Sequence, residues 1–292
     1  MSDRVGKDWQ NKGIDTFPTE AILGTLAHYG VRVDEASFRE LAREDFPVTI
    51  ALQWEASWKG TGQFLPFPFS AAAELWRRWL PDELSPVDFA IALTNLVNEM
   101  NAALEKKADD GTRETRFTVV EGLLKRLPAE AHRARAFVDD LFMAVGEELV
   151  EEFDETAELL AAENLDALAE RFVKIEETLF PERVGVVRAT MRAAKGEQKE
   201  ALAELTKLAA VDNAEQRFLA INSLARLEQF ELAAEQLYAS SAFFEQHGGF
   251  DHDVAELAVG LAGEQVAAAH KRKLADLAEK FLALANERSE EA

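Results

Sequence analysis

Gly196-Glu197-Gln198-Lys199-Glu200-Ala201-Leu202 decides how this chain is read, because three other segments share its pattern. They are Glu163-Asn164-Leu165-Asp166-Ala167-Leu168, Glu228-Gln229-Phe230-Glu231-Leu232-Ala233-Ala234 and Gly263-Glu264-Gln265-Val266-Ala267-Ala268. In each, a polar turn leads into a helix that starts with a small residue. Aligned on Ala167, Ala201, Ala233 and Ala268, the copies are spaced by 34, 32 and 35 residues. That is the length of one helix–turn–helix unit. A glycine or polar turn reverses the chain, and an alanine on the second helix lets the first helix approach closely.

Helical periodicity extends over almost every other segment, with no strand-like alternation, so the fold class is all-α. Start signals are frequent. Asp34 precedes a helix carrying Phe38 and Leu41, Ser85-Pro86-Val87-Asp88 sets a hydroxyl before a proline at the first helical position, and Asn213-Ala214-Glu215-Gln216 is a capping-box variant. Asp109-Asp110-Gly111, Gly196 and Gly248-Gly249 read as stops. All five tryptophans lie in the first 79 residues, and seven of eight prolines lie at or before Pro128. Beyond that the chain is rich in Ala, Leu and Glu. A boundary near 128–132 therefore separates an aromatic N-terminal helical domain (1–130) from a regular helical array (131–292).

The array resembles the tetratricopeptide repeat family, best from Gly196 to Ala201, with Phe230 at the aromatic turn position of the third copy. The turn glycine is replaced by Ala162 and Glu228 in the first and third copies, and the small residue of the first helix is clear only at Ala189. A generic helical hairpin array and a single bundle are the alternatives. The resemblance implies an α-solenoid whose peptide or helix ligands lie in a concave groove lined by the first helix of each repeat. It places Arg183, Val186, Thr190, Glu215, Phe218, Asn222 and Arg226 in that groove. Asn222 with Arg226 resembles part of the carboxylate clamp of chaperone-binding members, but Val186 and Thr190 stand where its lysines would come. The last helix carries Val266, His270, Leu274, Leu277, Phe281 and Leu284 on one stripe, suited to capping the array or to pairing with a second copy.

Charge and composition exclude several functions. With 54 acidic and 32 basic residues the net charge is −22, which disfavours nucleic acid and anionic lipid as partners. The absence of cysteine excludes a disulfide framework, a zinc knuckle and a thiol nucleophile. Met1 to Trp9 has no apolar core of a signal peptide, and no stretch reaches the roughly 20 apolar residues of a membrane span. A cytoplasmic protein without membrane insertion is expected.

Two surfaces are candidate docking sites. Residues 139–163 hold ten acids and no Lys or Arg. On one helix Phe142, Val145, Leu149, Phe153 and Leu160 form the buried stripe, leaving Glu147, Glu148, Glu151, Glu152 and Glu155 outward. Like charges three or four residues apart cost roughly 0.2–0.5 kcal/mol per pair, which a basic partner would relieve and salt would screen. The second is the aromatic loop 60–69, where Gly60, Gly62, Pro66 and Pro68 break a helix and leave Phe64, Phe67 and Phe69 on a loop. It either plugs the space between helices bearing Trp54, Trp58, Trp76 and Trp79 or serves partner binding and self-association.

Catalytic constellations are lacking. There is no His-Glu-x-x-His, no phosphate loop and no Gly-x-Ser-x-Gly elbow. His247-Gly248-Gly249-Phe250-Asp251-His252-Asp253 invites comparison with the HD phosphohydrolases, but helix capping by Asp251 or Asp253 explains it more simply. His270-Lys271-Arg272-Lys273 is expected to pair with neighbouring carboxylates. The expectation is a non-enzymatic adaptor or scaffold without cofactor or metal, binding a protein or peptide. A chaperone-type binder of a basic client is the first alternative, and a metal-dependent HD-type hydrolase using His252 and Asp253 the second.

Overall fold

The computed structural model describes residues 9–55, 57–59, 66–105 and 110–291, which form helices and turns and no strand. Two compact units divide the chain, 1–153 and 154–292. The composition shift near 128–132 thus lies ahead of the division between the units.

Unit 1 comprises α1 (Trp9–Lys12), a 3-10 turn (Ile14–Thr16), α2 (Thr19–His28), α3 (Glu35–Leu41), α4 (Pro47–Glu55), α5 (Pro66–Trp79), α6 (Pro86–Leu104), α7 (Asp110–Leu124) and the first part of α8 (Ala131–Ala162). The start signals do their work unevenly. Asp34 accepts a bond from Ser37 N at 2.8 Å while Ser37 Oγ accepts one from Asp34 N at 2.9 Å, a complete capping box. Pro86 opens α6, but Ser85 makes no capping bond. The expected stop at 109–111 is instead a start: Asp110 opens α7 and Gly111 lies in its first turn, with Asp109 outside the described residues.

Part of the expected aromatic loop is helical. Residues 60–65, Phe64 among them, lie outside the described residues, but Phe67 and Phe69 belong to α5. Pro66 and Pro68 fall in its first turn, where the missing N–H groups would have no helical acceptor. Phe67 is buried and meets Trp9 edge-on at 5.5 Å. The core proper is built by Phe38, 5.2 Å from Trp79, and by Phe46, 5.4 Å from Trp76 and 5.3 Å from Phe137. Trp58 stacks on Tyr29 at 4.1 Å.

Two charged side chains of α8 close helix ends in this unit. Asp140, fully buried, accepts bonds from Val48 N (2.9 Å) and Thr49 N (2.7 Å) and so caps α4 from a distant helix. Arg133 donates to the carbonyls of Ala42 (2.7 Å) and Arg43 beyond the end of α3 and lies over the Phe46 ring. Asp140 is therefore a buried cap, and the acidic stretch is not one exposed stripe. Nor is it one continuous helix. Gly146 breaks α8 at φ 74°, a conformation open to glycine. Phe142, expected in the buried stripe, is 38% exposed on the near side of that break.

Unit 2 continues from the end of α8 with α9 (Asp166–Leu179), α10 (Val184–Ala194), α11 (Gln198–Leu208), α12 (Ala214–Arg226), α13 (Phe230–His247), α14 (Asp251–Gly263) and α15 (Ala268–Glu291). One turn recurs three times. Asn164, Gly196 and Glu228, each 32 residues after the last, have φ of 60°, 85° and 58°. The next residue in each case has nearly the same backbone angles: Leu165 (−89°, 48°), Glu197 (−81°, 50°) and Gln229 (−90°, 52°). Its N–H reaches back five residues, to the carbonyls of Leu160 (2.8 Å), Arg192 (3.0 Å) and Leu224 (2.9 Å). This six-to-one bond satisfies a carbonyl at the helix end, and the new helix starts at once.

This register corrects the alignment of the first copy. The buried alanine equivalent to Ala201 and Ala233 is Ala169, whereas Ala167 is exposed. The position equivalent to Gly196 is Asn164, a residue that enters the left-handed region more readily than most, so Ala162 is not the turn residue. Four residues further on, Val173, Leu205 and Leu237 are also buried. The fourth copy departs: Ala268 is exposed and Glu264 has extended backbone. Neighbouring helices pair as α10 with α11, α12 with α13 and α14 with α15, and α12 also packs against α10 and α14. The last helix covers α13 and α14 through Leu274, Leu277 and Phe281. Arg288, near its end, holds Asp251 at 2.6 Å and the carbonyl of Glu245 at 2.7 Å.

Candidate functional site

The most unusual polar chemistry of unit 2 is a seam of acids around one guanidinium. Arg183, at the N-cap position of α10, is 7% exposed. Its Nη2 donates to Asp154 Oδ2 at 2.5 Å, its Nη1 lies 3.7 Å from Glu215 Oε1, and its Nε lies 3.9 Å from Glu176 Oε1. These acids come from α8, α12 and α9, so three helices converge on one cation. On the same side, Arg226 extends from the end of α12 to Glu158 (3.3 Å) and Glu155 (3.5 Å).

Burial dominates the electrostatics. Glu176 is 1% exposed, and neither of its oxygens, nor Oδ1 of Asp154, has a hydrogen-bond partner. Burial pushes Glu176 well above the usual carboxylate range, Asp154 pushes it further, and Arg183 opposes both. A proton on Glu176, which the raised carboxyl favours, would supply the donor that the pair of carboxyls otherwise lacks. Glu158 is also raised by burial, against Arg226 and the Thr190 hydroxyl. Glu215 is raised by burial too, against Arg183. Burial works against the charge on Arg183, but Asp154, Glu176 and Glu215 together hold it protonated more firmly than usual.

The residues assigned to a groove separate by accessibility. Val186 and Thr190, like Arg183, are buried, at 5% and 4% exposure, so α10 offers none of its three assigned residues to solvent. Their side chains are used internally, Val186 in the hydrophobic core and Thr190 beside Glu158. Glu215, Phe218 and Asn222 are half-buried and Arg226 is exposed, all on one face of α12. Phe218 lies 5.7 Å from Phe250, just ahead of α14, ring to ring. Of the acidic stretch, Glu151, Glu152 and Glu155 are exposed, and Glu152 accepts a bond from Asn101 at 2.8 Å. The side chains of Glu147 and Glu148 lie outside the described residues. The structure thus brings Glu155 to Arg226 and Glu215 to Arg183, pairs that sequence spacing does not reveal.

Glu176 escaped the sequence reading, although a signal was there. It occupies a core position of α9, on the stripe of Ala169, Phe172, Val173 and Leu179. A lone acid on such a stripe is a buried acid needing a partner.

The remaining candidates carry less chemistry. Phe250, not an aspartate, holds the N-cap position of α14, and Asp251 is engaged by Arg288 while His252 is exposed. Among the described residues no three His, Asp or Glu side chains are placed to hold a metal. Within the basic cluster, His270 meets Glu231 at 2.5 Å and Lys273 lies over the Tyr238 ring at 4.7 Å. Both border a cavity of about 120 Å³ lined also by Ala234, Glu235 and Leu274. Among the described residues no helix is long and apolar enough to cross a membrane. No protein-family model, curated protein or solved structure matches the chain.

Proposed function

We propose that unit 2 is a tetratricopeptide-like α-solenoid and that the protein is a non-enzymatic adaptor or scaffold that binds another polypeptide. The observation that carries this reading is the turn at Asn164, Gly196 and Glu228, repeated at one interval with a buried alanine five residues later. Units of identical turn geometry stack by the same rotation each time and leave a continuous side wall. The wall available for binding is the α12 face of Glu215, Phe218, Asn222 and Arg226 with the end of α8. The net charge of −22 favours a protein over nucleic acid, and a chain without cysteine suits the cytoplasm.

Asn222→Arg tests it. The side chain is half-buried, and a bulky cation there blocks the face without removing core atoms. A partner recovered by the full chain from native lysate should be lost with the variant by about tenfold or more, at unchanged helix content and melting temperature. Equal recovery with both proteins removes this face from the function.

A further inference from the structure

We infer that the mouth of the acidic seam receives a cationic side chain, a guanidinium or an ammonium, from a basic segment of the bound polypeptide, and that Arg226 occupies this place when no partner is present. The inference rests on the adaptor reading and names its partner class.

The charge balance of the seam is the starting point. Among the described residues, Asp154, Glu155, Glu158, Glu176 and Glu215 form ion pairs with Arg183 and Arg226, and Arg188 acts on Glu176 from further off. With Glu176 protonated, four carboxylates still share two guanidiniums. Glu176, 1% exposed, directs a carboxyl without a hydrogen-bond partner into this cluster, and Oδ1 of Asp154 is likewise without one. A proton on one oxygen of Glu176 can serve Asp154 Oδ1, which leaves the other Glu176 oxygen as a buried acceptor that calls for a donor.

Arg226 shows which donor the rim accepts. It is 42% exposed at the side chain, and its contacts of 3.3 and 3.5 Å are longer than a well-formed guanidinium–carboxylate pair. Such a pair contributes little to stability and exchanges readily for a better-placed cation. The acids are not arranged as a metal site. A planar, multiply donating organic cation matches them better than a bare ion. One helical turn from Glu215, the half-buried Phe218 offers aromatic surface for the aliphatic stem of such a side chain.

The experiment uses the full chain and a labelled peptide of about twelve residues alternating Arg with Ala, read by fluorescence anisotropy at physiological salt. The same peptide with Gln for Arg should bind at least about tenfold more weakly. The triple variant Glu155→Gln/Glu158→Gln/Glu215→Gln should weaken the Arg peptide by about tenfold, and the control Glu200→Gln/Glu256→Gln/Glu279→Gln by less than about twofold. Arg226→Gln should tighten binding several-fold, whereas Arg192→Gln changes it less than about twofold. Equal losses in the two triple variants overturn the inference, because the attraction is then only that of a highly acidic protein. So does weaker binding in Arg226→Gln. If Arg and Gln peptides bind alike and Asn222→Arg abolishes both, the cation pocket is wrong while the adaptor reading stands. If neither peptide binds and Asn222→Arg costs no native partner, both fall.

Discussion

Glu176 should make unit 2 less stable as pH rises, and its replacement by glutamine should lessen that dependence. The carboxyl is raised well above its ordinary value near 4.5 in the folded chain and is free of that burden once unfolded. Folded protein therefore holds a proton that unfolded protein has released. Stability is unaffected below the unfolded value and falls as pH climbs from there to the folded value. One retained proton corresponds to about 1.4 kcal/mol for each pH unit of that window. Glu158 acts in the same direction, and Glu215 more weakly because solvent reaches it. Glu176→Gln keeps a donor for Asp154 without a titrating proton. It should match the wild type near pH 4.5 and exceed it increasingly at higher pH. The chain carries its own control. Every tryptophan lies in unit 1, so urea melts followed by tryptophan fluorescence report that unit, while far-UV circular dichroism adds unit 2. The second transition should shift with pH and with the variant, and the first should not follow the variant. A wild-type slope that survives unchanged in Glu176→Gln would refute the assignment of the proton to this seam.

Three other perturbations address the fold. Asp140→Ala leaves the N–H groups of Val48 and Thr49 without their buried acceptor and should destabilise unit 1 by about 2–3 kcal/mol, seen in the tryptophan transition alone. Glu228 is a β-carbon-bearing residue at φ 58°, so Glu228→Gly should stabilise unit 2 by up to about 1 kcal/mol, while Gly196→Ala should cost about as much although the space around it is open. Ala169→Leu should cost about 1–3 kcal/mol by overpacking and Ala167→Leu close to nothing, as measured by circular dichroism melts; the opposite order would restore the alignment on Ala167.

That last comparison shows what the sequence conveys and what it withholds. Helix class, most starts and the recurring turn are legible because they are local: Asn213 bonds Gln216 three residues on, and Gly196 needs no distant partner. The register of the first copy is not legible, since Ala167 and Ala169 are chemically alike and only packing separates them. Nor is the fate of the acids. Asp140, Asp154 and Glu155 belong to one charged run, yet the first is a buried cap, the second grips Arg183 and the third meets Arg226 from the surface. Pairings across 29 or 71 residues depend on how helices are set side by side, which periodicity does not encode.

Proton and cation compete for one seam, and their linkage gives a sharper test than either alone. Glu176 is pushed towards its protonated form first by burial and then by Asp154 and Glu158 of α8, against the guanidinium of Arg183, while Glu215 of α12 draws on the same guanidinium and Arg188 lies further off. A bound cation at the rim lowers the cost of charge on these acids, so it favours release of the proton. By reciprocity, release of the proton strengthens the cation. Affinity for the arginine peptide should therefore rise with pH through the range in which Glu176 titrates. Titration calorimetry at constant pH should give a binding enthalpy that changes with the ionisation enthalpy of the buffer, with the sign of proton release. Glu176→Gln should abolish that dependence while retaining binding at the exposed acids. A buffer-independent enthalpy in the wild type would mean that the cation and the proton do not share the seam.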